Sequence, residues 1–149
     1  MSKQTLFVRW WVMALAMATI IASILMMGGF GFLLDNDVTY LSFVIMAVFF
    51  TFTGYYGYRL YRGQGLGQGV MEYGENLCTS IGLLGTVIGL IMMVKGAFAG
   101  IDVNDQESIK TALVAMSSGI GSALVTTLVG LISAVLIGIQ RKVVEVEWV

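Results

Sequence analysis

Thr86, Ser122, Thr126 and Thr127 carry hydroxyls deep inside long apolar runs, and in this 149-residue chain they are the side chains best placed to do chemistry. An unpaired hydroxyl in an apolar medium is costly, so each needs a partner. Spacing alone allows two readings. Ser and Thr in membrane helices commonly bond the carbonyl four residues back, which would make all four structural. Alternatively, hydroxyls near the middle of two closely packed helices form a polar track for an ion. Composition excludes much else. There is no histidine and the only cysteine is Cys78. Disulfide frameworks, thiolate zinc sites, histidine metal clusters and Cys/His or Ser/His nucleophilic pairs therefore cannot be built within the chain. No enzyme, metal or cofactor is expected, and a net charge of −1 gives no electrostatic reason to expect nucleic-acid binding.

Membrane helices must position these hydroxyls. The chain is 58% hydrophobic and 11% charged, with a mean hydropathy of +0.89, too apolar for an ordinary soluble domain. Four apolar stretches, Trp10 to Leu34, Leu41 to Tyr58, Leu77 to Val94 and Ala112 to Ile139, each reach the roughly 18 to 20 residues that cross a hydrocarbon core as a helix. Barrel strands would alternate apolar with polar residues over about 10 residues, which these do not. The first stretch runs into Gly28, Gly29, Phe30 and Gly31 without a cleavage site and reads as a retained span rather than a signal peptide. The fold class is all-α integral membrane with four transmembrane helices.

Lys3, Arg9, Arg59, Arg62, Arg141 and Lys142 all fall on one side of a four-helix zigzag, and only Lys95 and Lys110 on the other. The first side is therefore expected to be cytoplasmic, with both termini inside. Trp10 and Trp11, and Tyr55, Tyr56, Tyr58 and Tyr61, mark the inner interface. The Asp35-Asn36-Asp37 turn is then outside, as is the loop Ile101 to Ile109 with Asp102, Asp105 and Glu107. Glycine at every second position from Gly63 to Gly69 should loosen the chain. This gives a front hairpin over 1–62, a short cytoplasmic linker over 63–76 and a back hairpin with a cytoplasmic extension over 77–149. Within the linker, Val70 to Leu77 suits a helix start, with Glu72 and Glu75 near the positive end of its dipole. The fourth stretch, about 42 Å long at 1.5 Å per residue, exceeds a bilayer core and should tilt or project.

Gly82, Gly85, Gly89 and Gly96 recur at spacings of three, four and seven, which places them near one face of the third helix. Small residues so spaced let membrane helices approach closely, because lipid gives no hydrophobic reward for their meeting. The fourth helix offers Gly119, Ala123, Thr127 and Ala134 on one stripe, with Ser122, Thr126, Gly130 and Ser133 beside it.

The segment Gly82 to Leu90, GLLGTVIGL, followed by Gly119 to Leu131, GIGSALVTTLVGL, resembles the two signature helices of the MotA/TolQ/ExbB proton channel family. The resemblance extends over roughly Leu77 to Arg141 and implies five such subunits around two single-helix partners, in a bacterial inner membrane, the chain being encoded by the bacterium or by a phage. In that family the MotB/TolR/ExbD-like partner brings an aspartate, and protons or sodium ions cross where it meets this hairpin. Thr86 matches the threonine of the family's Gly-Thr-Val element and Thr127 the threonine facing it, which implies that both line the ion path with Thr126 and Ser122 beside them. Ser122 stands where some ExbB-like members carry a glutamate, and Leu136 where the family often has proline. MotA-like members place a large rotor-contacting domain between the second and third helices. Here about 18 residues, Arg59 to Asn76, fill that gap, so a flagellar stator is not expected.

Independently of the resemblance, an ion-driven device needs an ionisable group in the membrane. None of the four apolar cores holds an acid, which points to a carboxylate supplied by another chain. The alternative class is a small oligomeric membrane-lesion protein, holin-like, or a scaffold, in which the glycine stripes only drive association. A solute transporter ranks last, lacking charged pathway residues and broken binding helices. The methionines read as flexible packing, Lys95 as snorkelling to the interface, and the acids of the second outer loop as solvated or as attracting cations.

Overall fold

The computed structural model describes residues 3–37, 39–63, 68–98 and 105–145. Every regular element is helical: α1 (Lys3–Ile24), a π-helical turn (Leu25–Gly29), α2 (Phe30–Asn36), α3 (Leu41–Tyr61), α4 (Gln68–Phe98) and α5 (Gln106–Glu145). Among the described residues four segments are long and apolar enough to cross a membrane: Phe7–Asn36, Leu41–Tyr61, Gly69–Phe98 and Gln106–Val143. The absence of proline removes one common cause of breaks within these runs.

Two features depart from the zigzag read in the sequence. The first span is not one continuous helix, because the chain kinks in the π-helical turn where Gly28 adopts φ 105°, a value that side chains rarely take. In addition, α4 starts at Gln68, two residues ahead of the Val70 start read in the sequence, and runs unbroken through Glu72 and Glu75. Residues 64–67, the centre of the glycine-rich segment, lie outside the described residues. Gly63, with φ 64°, takes the left-handed position just past the end of α3, and its N–H donates to the Leu60 carbonyl at 3.0 Å. At the other end of the molecule, Asp105 caps α5 by accepting the Glu107 N–H on Oδ1 at 3.1 Å. Asp105 therefore has a local structural task, while Asp102 lies outside the described residues.

The α4–α5 hairpin forms the backbone of the fold, α3 lies across both of its helices, and α1 rests on α3 and α5. The core joins Ile45, Phe49, Tyr56 and Leu60 of α3 to Met71 and Cys78 of α4 and Ala134 and Ile137 of α5. Arg141 of α5 reaches Glu75 of α4 at 3.5 Å and Glu72 at 3.8 Å, closing the end that carries the aromatic belt. At that end the Trp10 ring of α1 seats against Gly57 of α3, where an added Cβ would fall inside van der Waals contact with the indole. Gly57→Ala is therefore expected to push Trp10 off α3 and lower the stability of the detergent-solubilised chain by about 1–3 kcal/mol. A thermal melt followed by tryptophan fluorescence would read this out, and an unchanged melt would refute the seating.

The front hairpin is short. Phe52 packs on Gly74 and Leu41 on Gly85, so α3 and α4 run side by side in register from one contact to the other. Beyond Gly85, α4 continues to Phe98, about 20 Å further at 1.5 Å per residue. Asp37, in the turn between α2 and α3, packs against Thr126 in the middle of the back hairpin. The cause is length: α3 has 21 residues, against 31 in α4 and 40 in α5.

Candidate functional site

Small residues create the site by letting α4 and α5 approach almost backbone to backbone. A Cβ added to Gly130 would lie 2.9 Å from the Gly82 Cα and 2.9 Å from the Cys78 carbonyl oxygen, and one on Gly82 would lie 3.2 Å from the Gly130 Cα. One on Gly89 would meet the Ala123 Cβ at 2.9 Å, and one on Gly119 would collide with Met93. Gly85 faces Thr126 with no room for a Cβ. The glycine face thus runs from Gly82 to Gly89 on α4. Gly96, grouped with them by spacing, has nothing within 4 Å and lines an outer cleft instead.

On this close contact the Thr86 and Thr127 hydroxyls bond each other across the two helices. Thr86 Oγ1 also lies 3.2 Å from the Gly82 carbonyl, and Thr127 Oγ1 lies 3.1 Å from the Ala123 carbonyl and 3.3 Å from that of Gly82. Two hydroxyls hold two protons, yet they share contacts with one another and with two carbonyls. The result is a spot richer in oxygen lone pairs than in donors. Each hydroxyl lies within reach of the carbonyl four residues back, and together they make a polar focus between two apolar spans.

Thr126 and Ser122 do not join that pair. Thr126 is fully buried on the side of α5 that faces α3, where its hydroxyl is 3.2 Å from the Ser122 carbonyl. Ser122 is itself buried and lines a cleft of about 240 Å³ with Thr39, Ser118, Gly119, Gly89 and Gly96.

Asp37 is the residue that the sequence reading missed. The four apolar cores contain no acid, as read, but the fold brings one to them from the turn. Asp37 is 0% exposed. Its Oδ1 accepts the Thr39 hydroxyl at 2.7 Å, the Thr39 N–H at 3.1 Å and the Thr126 hydroxyl at 3.4 Å, while Oδ2 accepts the Ser42 N–H at 2.8 Å. Although the N-cap position of α3 itself is Tyr40, an acid two residues before a threonine, ahead of an apolar helix, is a turn-forming pattern, and that signal was available. Its burial against Thr126 was not, because it depends on how far α3 reaches along α4.

Four apolar spans folded around a glycine-packed hairpin define a multi-pass membrane protein. The chain belongs to the MotA/TolQ/ExbB proton channel family, whose model matches residues 64–145, more than half its length and the whole of α4 and α5. That family consists of proton channels of energy-transducing complexes rather than enzymes, working in oligomers with MotB/ExbD-type partners. No curated protein and no solved structure matches the chain.

Proposed function

We propose that this chain is the ring subunit of an ion-motive-force-driven energy transducer, five copies surrounding a MotB/TolR/ExbD-like partner with one transmembrane helix and an aspartate. The observation that carries the reading is the Thr86–Thr127 pair on the glycine contact of a family hairpin. The pair stands near the middle of the α4 apolar run, where the partner's acid would have to be met. An ion arriving from outside neutralises that acid beside the two hydroxyls. The partner helix, freed of the cost of moving a charge past apolar surface, then steps to the next subunit and releases the ion inward. One charge crossing 100 mV supplies about 2.3 kcal/mol per step. Protons and sodium ions are both compatible with a site of hydroxyls and carbonyls. The Lys/Arg distribution supports termini in the cytoplasm of a bacterial cell, with the chain in its inner membrane.

Asp37 does not take the place of the partner's acid. It is held by its own turn at the start of α3 and has no freedom to travel with an ion. Only residues 62–67 separate α3 from α4, which leaves no rotor-contacting domain there and sets flagellar torque aside. Gly82, Gly85, Gly89, Gly119 and Gly130 are spent within one chain, which weakens the lesion or scaffold reading that needs them between chains.

The test is co-purification with a single-helix, Asp-bearing partner, followed by ion flux in proteoliposomes. Five copies to two partners are expected. Thr127→Val, nearly isosteric, should assemble normally and lose at least about tenfold in flux, the equivalent of about 1.4 kcal/mol at the ion site. Full flux in a normally assembled Thr127→Val complex would remove the hydroxyl pair from the path.

A further inference from the structure

The exposed side of the front hairpin borders two cavities. Along its 18-residue apolar window the first span has no fully buried residue, and it packs on the core through its Met13, Ala14 and Ile21 side. Between α1, α3 and α5 runs a cavity of about 320 Å³. A second, of about 150 Å³, adjoins it, the two sharing Ile21, Phe49 and Phe50 as walls. Together they follow α1 from Trp10 to Leu25, about 22 Å at 1.5 Å per residue.

This crevice is divided by polarity along its length. Towards the kink its walls are Ile24, Leu25, Met46, Val129 and Leu136. At the aromatic-belt end it is lined by Trp10, Thr53 and Gln140. Gln140 is 0% exposed and Trp10 is 7% exposed. The Trp10 indole N–H and the Gln140 Oε1 are both buried and find no hydrogen-bond partner among the described residues. The Gln140 amide nitrogen donates to Thr53 Oγ1 at 3.2 Å and touches the Met17 sulfur at 3.7 Å. Turned the other way, the amide would accept from Thr53 and leave its nitrogen over, so one polar atom of Gln140 is unspent in either orientation. Buried polar atoms without partners are costly in an apolar setting, and a small turn of the Trp10 and Gln140 side chains towards the crevice would let one ligand there meet both.

We propose that the crevice holds one membrane phospholipid with a hydroxyl-bearing head group, its acyl chain between α1 and α3 and its polar region at Trp10 and Gln140. Three features select this occupant. The crevice opens to the solvent of this helix face, which is lipid. Its length and polarity gradient match a chain with one polar end placed at the interface, where tryptophan and tyrosine collect. A hydroxyl both donates and accepts, so it satisfies the Gln140 amide whichever way it is turned, while an ester or phosphate oxygen takes the indole N–H. The bound lipid then fills the space that α1 leaves against α3 and α5 and fixes its position.

The experiment uses the full chain, delipidated in detergent, incubated with dioleoyl phosphatidylglycerol or with dioleoyl phosphatidylcholine, and analysed by native mass spectrometry. One phosphatidylglycerol should be retained per chain, in preference to phosphatidylcholine, which has no head-group donor. Trp10→Phe, which keeps the ring and removes the N–H, and Gln140→Leu should each weaken retention about fivefold, the effect of one neutral hydrogen bond. Ala18→Phe, which fills the cavity wall, should abolish it while the chain elutes as before. Wild-type retention in both Trp10→Phe and Gln140→Leu would overturn the proposal. So would efficient cross-linking of Ala18→Cys to a second copy in vesicles, which would put a neighbouring chain in the crevice.

Discussion

Gly130→Leu is expected to abolish recovery of the folded chain from membranes, while Gly96→Leu is recovered at the wild-type level. The two residues belong to the same class of sequence signal, a glycine within a long apolar helix, and they differ only in what a side chain would meet. At Gly130 the first carbon already lies 2.9 Å from the Cys78 carbonyl oxygen and 2.9 Å from the Gly82 Cα. Both obstacles are backbone, so no rotamer change relieves them, and α4 and α5 would have to separate along the contact. Separation removes the dispersion contacts that hold helices together in lipid, where no hydrophobic reward compensates. It also breaks the Thr86–Thr127 bond and exposes Cys78, which is fully buried. The cost should reach about 4 kcal/mol or more, a large part of the roughly 5–15 kcal/mol by which a protein is folded. At Gly96 nothing lies within 4 Å, and a leucine there projects into open space. Fluorescence-detected size exclusion of both variants in detergent decides the matter. A monodisperse Gly130→Leu peak at wild-type height would show that the close approach is not what holds the hairpin.

That contrast also marks what sequence could and could not reveal. Four helices were legible because uninterrupted apolar runs without proline leave few alternatives in a membrane. The back hairpin was legible in more detail, because glycines at helical spacing on one helix met small residues and hydroxyls on the next, and Thr86 and Thr127 do come together. Gly96 shared the spacing but lies past the segment in which α5 stays close, and a periodicity cannot say where two helices diverge. The kink in the first span was written as Gly28-Gly29, yet whether two glycines bend a helix depends on what it must wrap around, here α3 and the flank of α5. Relative height was the largest gap. Nothing in a zigzag of apolar runs says that α3 starts level with Gly85, or that Asp37 in the turn before it lies against Thr126.

Asp37→Ala is expected to detach that turn and to cost about 2–4 kcal/mol. The carboxyl accepts from Thr39 twice, from Ser42 and from Thr126. Deleting it leaves the Ser42 N–H, one of the orphan donors at the start of α3, buried without an acceptor. The unsatisfied buried donor accounts for about 1–3 kcal/mol, and the lost bonds from Thr39 and Thr126 for about 1 kcal/mol more. Asn retains one carbonyl acceptor, so Asp37→Asn should lose about half as much. The location of the damage separates this account from a general loss of fold. Hydrogen exchange followed by mass spectrometry should show faster exchange over Leu41 to Ile45, the first turn of α3, while Gly82 to Gly89 stays protected by a hairpin that does not depend on Asp37. Thr126 would keep its bond to the Ser122 carbonyl and hold its place on Gly85. If Asp37→Ala melts with the wild type and α3 exchanges no faster, the carboxyl is not the anchor between the two hairpins. If Gly82 to Gly89 loosens to the same degree as α3, the hairpins are one cooperative unit and the turn is part of what positions the threonine pair.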